Sequence, residues 1–149
     1  MTGYTDAQIR DSIVALLAAS GSITPTVPSE RIYNGRLVPL TDDLDVPAIR
    51  VYLHQSGFDW AGDALTPIFI GTVDVVVEYY CTASTDAALE IALDFDQTIQ
   101  TVVFETNTWI RKWLQIERTA TQRSAGINGD RRLGMSKQIW TLKIPRSYP

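Results

Sequence analysis

An alternating run of apolar residues from Ile68 to Cys81 constrains the fold more than any other feature of this sequence. Val73, Val75 and Val77 recur at every second position, which is the pattern of a strand that buries one face. Charged residues at positions 74 and 78 make the run too short and too polar to cross a bilayer. We therefore expect a long strand whose apolar side is covered by another layer, with Cys81 as a small residue on that buried side.

The segment that follows predicts the covering layer. Hydroxyl residues between Thr82 and Thr85 suit the start of a helix, and Asp86 to Glu105 repeats apolar side chains at helical spacing. The residues expected to meet across this contact are Ala92, Phe95, Ile99 and Val102 on the helix and Val73, Val75, Val77 and Tyr79 on the strand. Glu90, Asp94 and Asp96 are expected on the charged outer surface of one long helix.

A capping box predicts an earlier helix near the start of the chain. Thr5 and Gln8 have the spacing at which each side chain bonds the backbone N–H of the other. The apolar face of this helix is expected to consist of Ile9, Ile13, Leu16 and Leu17. Gly21 is expected to end the helix in a left-handed conformation, and residues Ser20 to Glu30 predict a loop.

The middle of the chain predicts two further strands and a second loop. Arg31 to Tyr33 is a short extended piece, and Asn34-Gly35 after it suits a tight turn. Residues 49–53 alternate, with an apolar side formed by Ile49, Val51 and Leu53 and a second side formed by Arg50, Tyr52 and His54. Residues Ser56 to Pro67 predict a loop.

The end of the chain predicts a long β-hairpin. Its outgoing strand runs from Leu114 to Arg123, its loop contains Asn128-Gly129-Asp130, and its returning strand runs from Lys137 to Ile144. The apolar face of the returning strand is expected to be Trp140, Leu142 and Ile144, and Trp109 to Leu114 fits either a helical turn or a strand. The order of elements predicts one α+β domain over residues 1–149, with a mainly antiparallel sheet and both helices packed on one face.

The inventory of reactive side chains predicts a protein that is not an enzyme. The only histidine is His54 and the only cysteine is Cys81, so the chain lacks the usual nitrogen and sulfur ligands of a zinc site. A Gly-rich phosphate loop and a nucleophile elbow are also missing from the sequence. Asp42, Asp43 and Asp45 lack the central glycine and the final glutamate of a calcium loop. We therefore expect no catalytic residue, no metal and no cofactor.

Charge is strongly segregated along the chain. Residues 1–105 contain 15 acidic and 4 basic residues, whereas residues 106–149 contain 2 acidic and 9 basic ones. The candidate interface residues in the basic part are Arg111, Lys112, Arg118, Arg123, Arg131 and Arg132. This pattern has three interpretations: a nucleic-acid surface, a solvated hairpin, or a basic arm that meets the acidic body of the next copy.

The acidic part of the chain favours assembly over nucleic-acid binding. A body with a net charge of −11 repels the same polyanion that the hairpin would attract, and the isoelectric point of the sequence is about 4.9. Complementary charge on two copies has no such conflict. We therefore interpret the basic residues as contacts within an assembly.

The order of these elements resembles that of bacteriophage tail terminator proteins, especially the minor tail protein U type of long-tailed phages. The segments that carry the resemblance are the first helix, the turn at residues 32–36, the strands at 46–53 and 73–80, the long helix and the final hairpin. They extend over nearly the whole chain. The family has no catalytic signature, so the resemblance assigns no role to an individual residue.

The resemblance implies a structural virion protein. Such a protein forms a ring, typically a hexamer, that caps the tail tube, ends tube polymerisation and offers the surface to which the head joins. The implied partners are further copies of the chain, the tail tube protein and a neck or head-completion protein, and the genome passes through the ring without specific binding. The implied place is the head–tail junction of the virion after assembly in the host cytoplasm, with no membrane involved. Two alternatives stay open: a neck or head-completion ring, and a nucleic-acid-binding module.

Overall fold

The computed structural model describes residues 5–35, 46–56, 59–62, 67–105 and 115–145. The helices are α1 (Asp6–Ala19), α2 (Asp86–Leu93) and α3 (Phe95–Glu105), and a 3-10 turn spans Ser29–Arg31. The strands are β1 (Ile32–Asn34), β2 (Ala48–Ser56), β3 (Asp59–Gly62), β4 (Pro67–Ala83), β5 (Gln115–Asn128) and β6 (Arg131–Pro145). The predicted segments at 41–45 and 109–114, including the Asp42, Asp43 and Asp45 cluster, lie outside the described residues.

The six strands form one sheet in the order β1-β2-β4-β6-β5, with β3 beside the first residues of β4. Every pairing is antiparallel except that of β1 with β2, which is parallel. The helices pack on one face of this sheet, because their buried residues form one core with the odd-numbered residues of β4. The α+β architecture and the mainly antiparallel sheet predicted from the sequence are therefore confirmed.

Strand β4 is the centre of the sheet and is buried on both faces. Val73, Val75 and Val77 face the helices and are almost fully buried. Val76 and Glu78, which point to the opposite face, are buried as well. The sequence predicted burial of the first face only, because polar residues alternate with the apolar ones along the strand and fall on the second face.

Helix α1 begins and packs as its capping box predicts. The Thr5 N–H donates to Gln8 Oε1 at 2.9 Å, and the Gln8 N–H donates to Thr5 Oγ1 at 3.2 Å. Ile9, Ile13 and Leu17 are buried on the face that meets the sheet. The capping box therefore fixes the start of the helix at the point where its apolar face meets the core.

The predicted stop at Gly21 is wrong. The helix ends at Ala19, and Ser20 is the cap residue with an extended backbone. Positive φ occurs in the described residues only at Gly35 and Gly129. The chain continues through consecutive turns that bury Ile23 and Val27, since the Val27 N–H donates to the Ile23 carbonyl at 2.8 Å. Burial of these two side chains holds the turn in place without a left-handed residue.

The loop predicted for residues 56–67 is wrong in its middle, where β3 lies. Strand β2 leaves β4 at the pair Ser56 with Val73, so the edge of β4 from Pro67 to Ile70 is open on that side. Strand β3 fills this edge through antiparallel pairs that run from Asp59 with Ile70 to Gly62 with Pro67. The unpaired backbone groups at the open edge of β4 decide this pairing, and the periodicity of the side chains does not. For this reason the residue pattern of the segment predicted a loop.

The buried side of the helical layer matches the sequence prediction. Ile99 is fully buried and Val102 nearly so, while Ala92 and Phe95 are partly buried against the same core. The Phe95 ring packs on Tyr79 with centroids 5.2 Å apart and planes tilted by 56°. Cys81 is also buried, and this burial raises the pKa of its thiol to about 11. The predicted contact between the apolar stripe of the helix and the apolar face of β4 is thus confirmed.

We predict that Ile99→Ala lowers the free energy of unfolding by about 2 to 5 kcal/mol, because it removes fully buried methylene groups and leaves a cavity. Glu90→Ala on the exposed side of α2 serves as the control and should change stability by about 0.5 kcal/mol or less. Urea titration monitored by circular dichroism measures both. If both variants lost the same unfolding free energy, this would contradict the placement of Ile99 on the buried side and of Glu90 on the exposed side of the helices.

Candidate assembly interface

The C-terminal hairpin is longer than the sequence predicted. Strands β5 and β6 contain 14 and 15 residues and pair from Gln115 with Lys143 to Asn128 with Arg131. Gly129 and Asp130 form the turn, and Gly129 has a φ of +64°, a left-handed conformation that glycine adopts without steric cost. Strand β6 is paired on both sides, whereas β5 forms one edge of the sheet. Residues 119–127 of β5 are all exposed, so this edge is an accessible surface.

The hairpin is joined to the helical layer through the buried carboxylate of Asp96. Arg123 from β5 binds it side-on, with Nε 2.8 Å from Oδ2 and Nη2 2.7 Å from Oδ1. Ser136 from β6 donates to Oδ2 at 2.6 Å. Gln138 on the same strand donates to the Asp96 carbonyl at 2.6 Å. A carboxylate that is almost completely removed from water is thus satisfied by groups from both hairpin strands.

The same contacts divide the predicted long helix into α2 and α3 at Asp94. The Gln97 N–H donates to the Asp94 carbonyl at 3.1 Å, one residue closer than in a regular α-helix. The Leu93 carbonyl accepts instead from Nη2 of Arg123 at 3.4 Å. A side chain that inserts into the backbone hydrogen-bond ladder is a recognised cause of a helix kink. The prediction of one continuous helix is therefore wrong, because a residue far along the chain replaces a helical hydrogen bond.

A second ion pair joins the hairpin to the start of α2. Arg132 Nε lies 2.7 Å from Asp86 Oδ1, and Asp86 is 86% exposed. Arg123 also reaches Asp94, whose Oδ1 is 3.2 Å from Nη1. These two exposed pairs contribute little stability individually, since solvent screens them. They do show that basic residues of the hairpin match acidic residues of the helices.

The structure separates the six candidate interface residues into different environments. Arg123 and Arg132 bind acidic residues of their own chain. Arg131 is exposed beside the turn of the hairpin. Arg118 lies in β5 opposite Thr141, but its side chain is outside the described part, as are Arg111 and Lys112 altogether. Part of the segregated charge therefore acts within the chain, between the helices and the hairpin.

The placement of Asp96 on an outer surface is a wrong prediction. Its side chain is 3% exposed, whereas that of Asp94 is 60% exposed as predicted. The sequence did contain a signal for this site. The inward alternation that includes Trp140 and Leu142 extends back to Gln138 and Ser136, and buried polar residues of this kind need hydrogen-bond partners. That the partner is Asp96 follows only from the way the helix packs across β6.

We predict an asymmetric response to the loss of either partner of the buried ion pair. Arg123→Met leaves the Asp96 carboxylate buried without its cation and should cost about 3 to 5 kcal/mol of unfolding free energy. Asp96→Asn should cost less, because the Arg123 side chain is 36% exposed and can be hydrated.

Chemical denaturation of the two single variants and the double variant measures this asymmetry. The double variant should be more stable than Arg123→Met alone, because it no longer buries an unpaired charge. A double variant that loses the sum of both single costs would contradict the assignment.

A second polar network lies on the face of the sheet opposite the helices. Glu78 is buried there and accepts hydrogen bonds from the hydroxyl groups of Tyr52 and Tyr80. Arg50 Nη2 lies 2.9 Å from Glu78 Oε2, also donates to the Tyr80 hydroxyl, and its guanidinium is 5.0 Å from the centre of the Tyr80 ring. Thr141 donates to Asp74 at 2.7 Å on the same face. This network ties β2 to β4 where no described helix covers the sheet.

The network sets the protonation of its members. Burial alone would raise the pKa of Glu78, but hydrogen bonds from Tyr52, Tyr80 and Arg50 outweigh it and lower that pKa below its ordinary value. Burial and the bond to Glu78 raise the pKa of Tyr80 to about 12. The carboxylate is therefore charged and the Tyr80 hydroxyl keeps its proton at neutral pH. This is a stable structural arrangement rather than an acid–base pair poised near neutrality.

We predict that the stability difference between the natural chain and Glu78→Gln depends on pH. Since folding lowers the pKa of Glu78, its contribution is present above the unfolded-state value of about 4.3 and is lost as the pH falls through the folded-state value. The difference should be about 3 kcal/mol at pH 7, as for a broken buried pair, and should shrink toward pH 3. Tyr52→Phe keeps the carboxylate but removes one of the hydrogen bonds that lower its pKa, so its stability difference from the natural chain should also shrink toward pH 3. A difference that stays constant over this range, measured by urea titration at each pH, would contradict the charged state of Glu78.

Within the described ranges, no cluster of three or more histidine, cysteine, aspartate or glutamate side chains has the arrangement of a metal site. No helix in that part of the chain is long and apolar enough to span a membrane.

Comparison with known proteins gives a likeness in fold. No protein-family model and no curated protein matches the sequence. Among solved structures 30 chains match. One of them belongs to the virion of a native gene transfer agent particle, is 13% identical and superposes with a TM-score of 0.50. The match covers 89% of this chain and 91% of the other, so the shared architecture includes nearly all of both. At this identity the likeness shows a common fold alone.

Proposed function

We propose that this chain is a structural protein of a phage-like virion. The observation that carries the proposal is the match to a chain of the gene transfer agent virion, because it covers 89% of this chain and 91% of the other. An independent support is the order of elements in the sequence, which resembles that of tail terminator proteins. Within this class we propose the finer role of a ring that caps the tail tube and joins it to the head.

The surface of the chain supports assembly through its own copies. The hairpin extends along one edge of the sheet and exposes Arg131, while α2 exposes Asp86, Glu90 and Asp94 on the helical layer. One chain therefore carries exposed basic and acidic residues, which lie next to each other where the hairpin meets α2. Contacts between unlike surfaces can repeat from copy to copy and close into a ring when the rotation permits.

A nucleic-acid-binding module is the weaker candidate. Arg123 and Arg132 are held in ion pairs with acidic residues of the same chain, which reduces their availability to phosphate groups. Exposed acidic residues of α2 lie next to the hairpin and would repel a nucleic acid bound there. A neck or head-completion ring has the same support from the fold as a tail terminator, and binding partners distinguish the two.

We predict that the purified chain forms a closed ring of about six copies, either alone or on the tail tube of its own virion, through contacts between unlike surfaces. Native mass spectrometry and light scattering give the copy number in solution, and electron microscopy of tubes mixed with the protein shows a ring at the tube end. Monomers under both conditions would overturn the ring. Rings that bind the portal side of the head but not the tube would assign the chain to the neck instead.

A further inference from the structure

The sequence contains two Asn–Gly pairs, at residues 34–35 and 128–129. In such a pair the backbone nitrogen of the glycine can attack the side-chain carbonyl carbon of the asparagine, because glycine has no side chain that hinders the approach. This attack needs a glycine N–H that is free to lose its proton and an asparagine side chain that can turn toward it. The two pairs are alike in sequence, but the structure holds them differently.

The pair Asn34–Gly35 is restrained at both reacting groups. The Gly35 N–H donates a hydrogen bond to the Val51 carbonyl at 2.9 Å. The side-chain amide of Asn34 donates to the carboxylate of Asp11. The backbone of Asn34 is also fixed in β1, where its register partner is Val51. Both hydrogen bonds must break before the glycine nitrogen can reach the side-chain carbon, so the structure protects this pair.

The glycine of the pair Asn128–Gly129 has no such restraint. Asn128 is the last residue of β5 and has Arg131 as its register partner, so Gly129 and Asp130 form a turn between them. Ladder hydrogen bonds join paired residues, and the Gly129 N–H therefore lies outside the ladder. In the described part of the chain, the Gly129 N–H makes no turn or loop hydrogen bond. Gly129 and Asp130 are exposed, and the space beside the Gly129 Cα is open.

We propose that Asn128 is a site of spontaneous deamidation in the folded protein, whereas Asn34 is protected. The Gly129 nitrogen forms a bond to the Asn128 side-chain carbonyl carbon, and the bond from that carbon to the amide nitrogen breaks. Ammonia leaves with the proton of the glycine nitrogen, and a five-membered succinimide ring remains. Water then opens the ring at one of its two carbonyl carbons. Attack on the side-chain carbon gives aspartate, and attack on the main-chain carbon gives isoaspartate.

The reaction changes the turn of the hairpin and does not depend on the assembly proposed above. Both products add a carboxylate opposite Arg131, so the turn becomes less basic. Isoaspartate also leads the main chain through the former side chain, which adds one carbon at the last residue pair of the hairpin. The contacts of Arg123 and Ser136 with Asp96 lie farther along the two strands. Those contacts hold the register, so the fold should persist after the reaction.

Isotope labelling with peptide mass spectrometry tests this proposal. The purified chain is incubated at mildly alkaline pH in water enriched in oxygen-18 and then digested with an acid protease in ordinary water. Only molecules that reacted before digestion carry the heavy oxygen. In the folded chain Asn128 should convert about tenfold faster than Asn34 or more, the effect on a rate of two hydrogen bonds that must break first. In guanidinium chloride the two rates should be similar, because both pairs then have the same local chemistry.

Two results would overturn the proposal. One is a folded chain in which Asn128 stays intact over the time that converts it in denaturant. The other is a folded chain in which Asn34 reacts as fast as Asn128.

The variant Asp11→Ala is the matched control, since it removes the acceptor of the Asn34 amide at an exposed position. It should speed the conversion of Asn34 severalfold and leave that of Asn128 unchanged. An unchanged rate at Asn34 would overturn the protective role of the Asp11 contact. An equal increase at both residues would show that opening of the whole fold controls the reaction, which would overturn the local assignment.

Discussion

The buried carboxylate of Asp96 is the interaction on which the rest of this structure depends. A charged group removed from water costs several kcal/mol unless it is paired and fully hydrogen-bonded, so its partners cannot be exchanged for solvent. Two of these partners, Arg123 and Ser136, are directly opposite each other in the hairpin. A shift of either strand by one residue would turn its group to the other face of the sheet. The carboxylate therefore fixes the register of the hairpin and its position against the helices at once.

That requirement also shapes the helical layer. The Leu93 carbonyl accepts a hydrogen bond from Arg123 instead of one from the helix backbone. The break that results makes α2 a separate short helix over β4 and β6. Leu89 and Leu93 pack so closely on Gly134 that a Cβ added there would lie 2.8 Å from the nearest Leu89 carbon. The absence of a side chain at position 134 thus lets α2 approach β6. The position of the exposed acidic side of α2 therefore depends on this close contact and on the break that follows α2.

Charge segregation in this chain has two physical consequences. Within the chain, acidic residues of the helices bind Arg123 and Arg132 of the hairpin, which joins the last part of the sequence to the earlier part. The acidic and basic residues that remain exposed are those on which the proposed assembly of copies rests. On the face of the sheet opposite the described helices, Glu78 has the role that Asp96 has under the helices, since it holds Arg50, Tyr52 and Tyr80 across β2 and β4. The central strand is thus fixed from both sides.

The sequence by itself determined the elements whose signals are local. The alternation of β4, the capping box at Thr5, the apolar stripe that contains Ile99 and the turn at Gly129 depend on a few neighbouring residues, so they were predictable. Tertiary structure decided the features that need a distant partner. Strand β3 exists because an edge of β4 is open, the helix breaks because Arg123 reaches Leu93, and Asp96 is buried because Ser136 and Arg123 lie beneath it. Backbone groups and charged side chains bind the partners that the fold brings near them. The spacing of residues along the sequence does not show which partners these are.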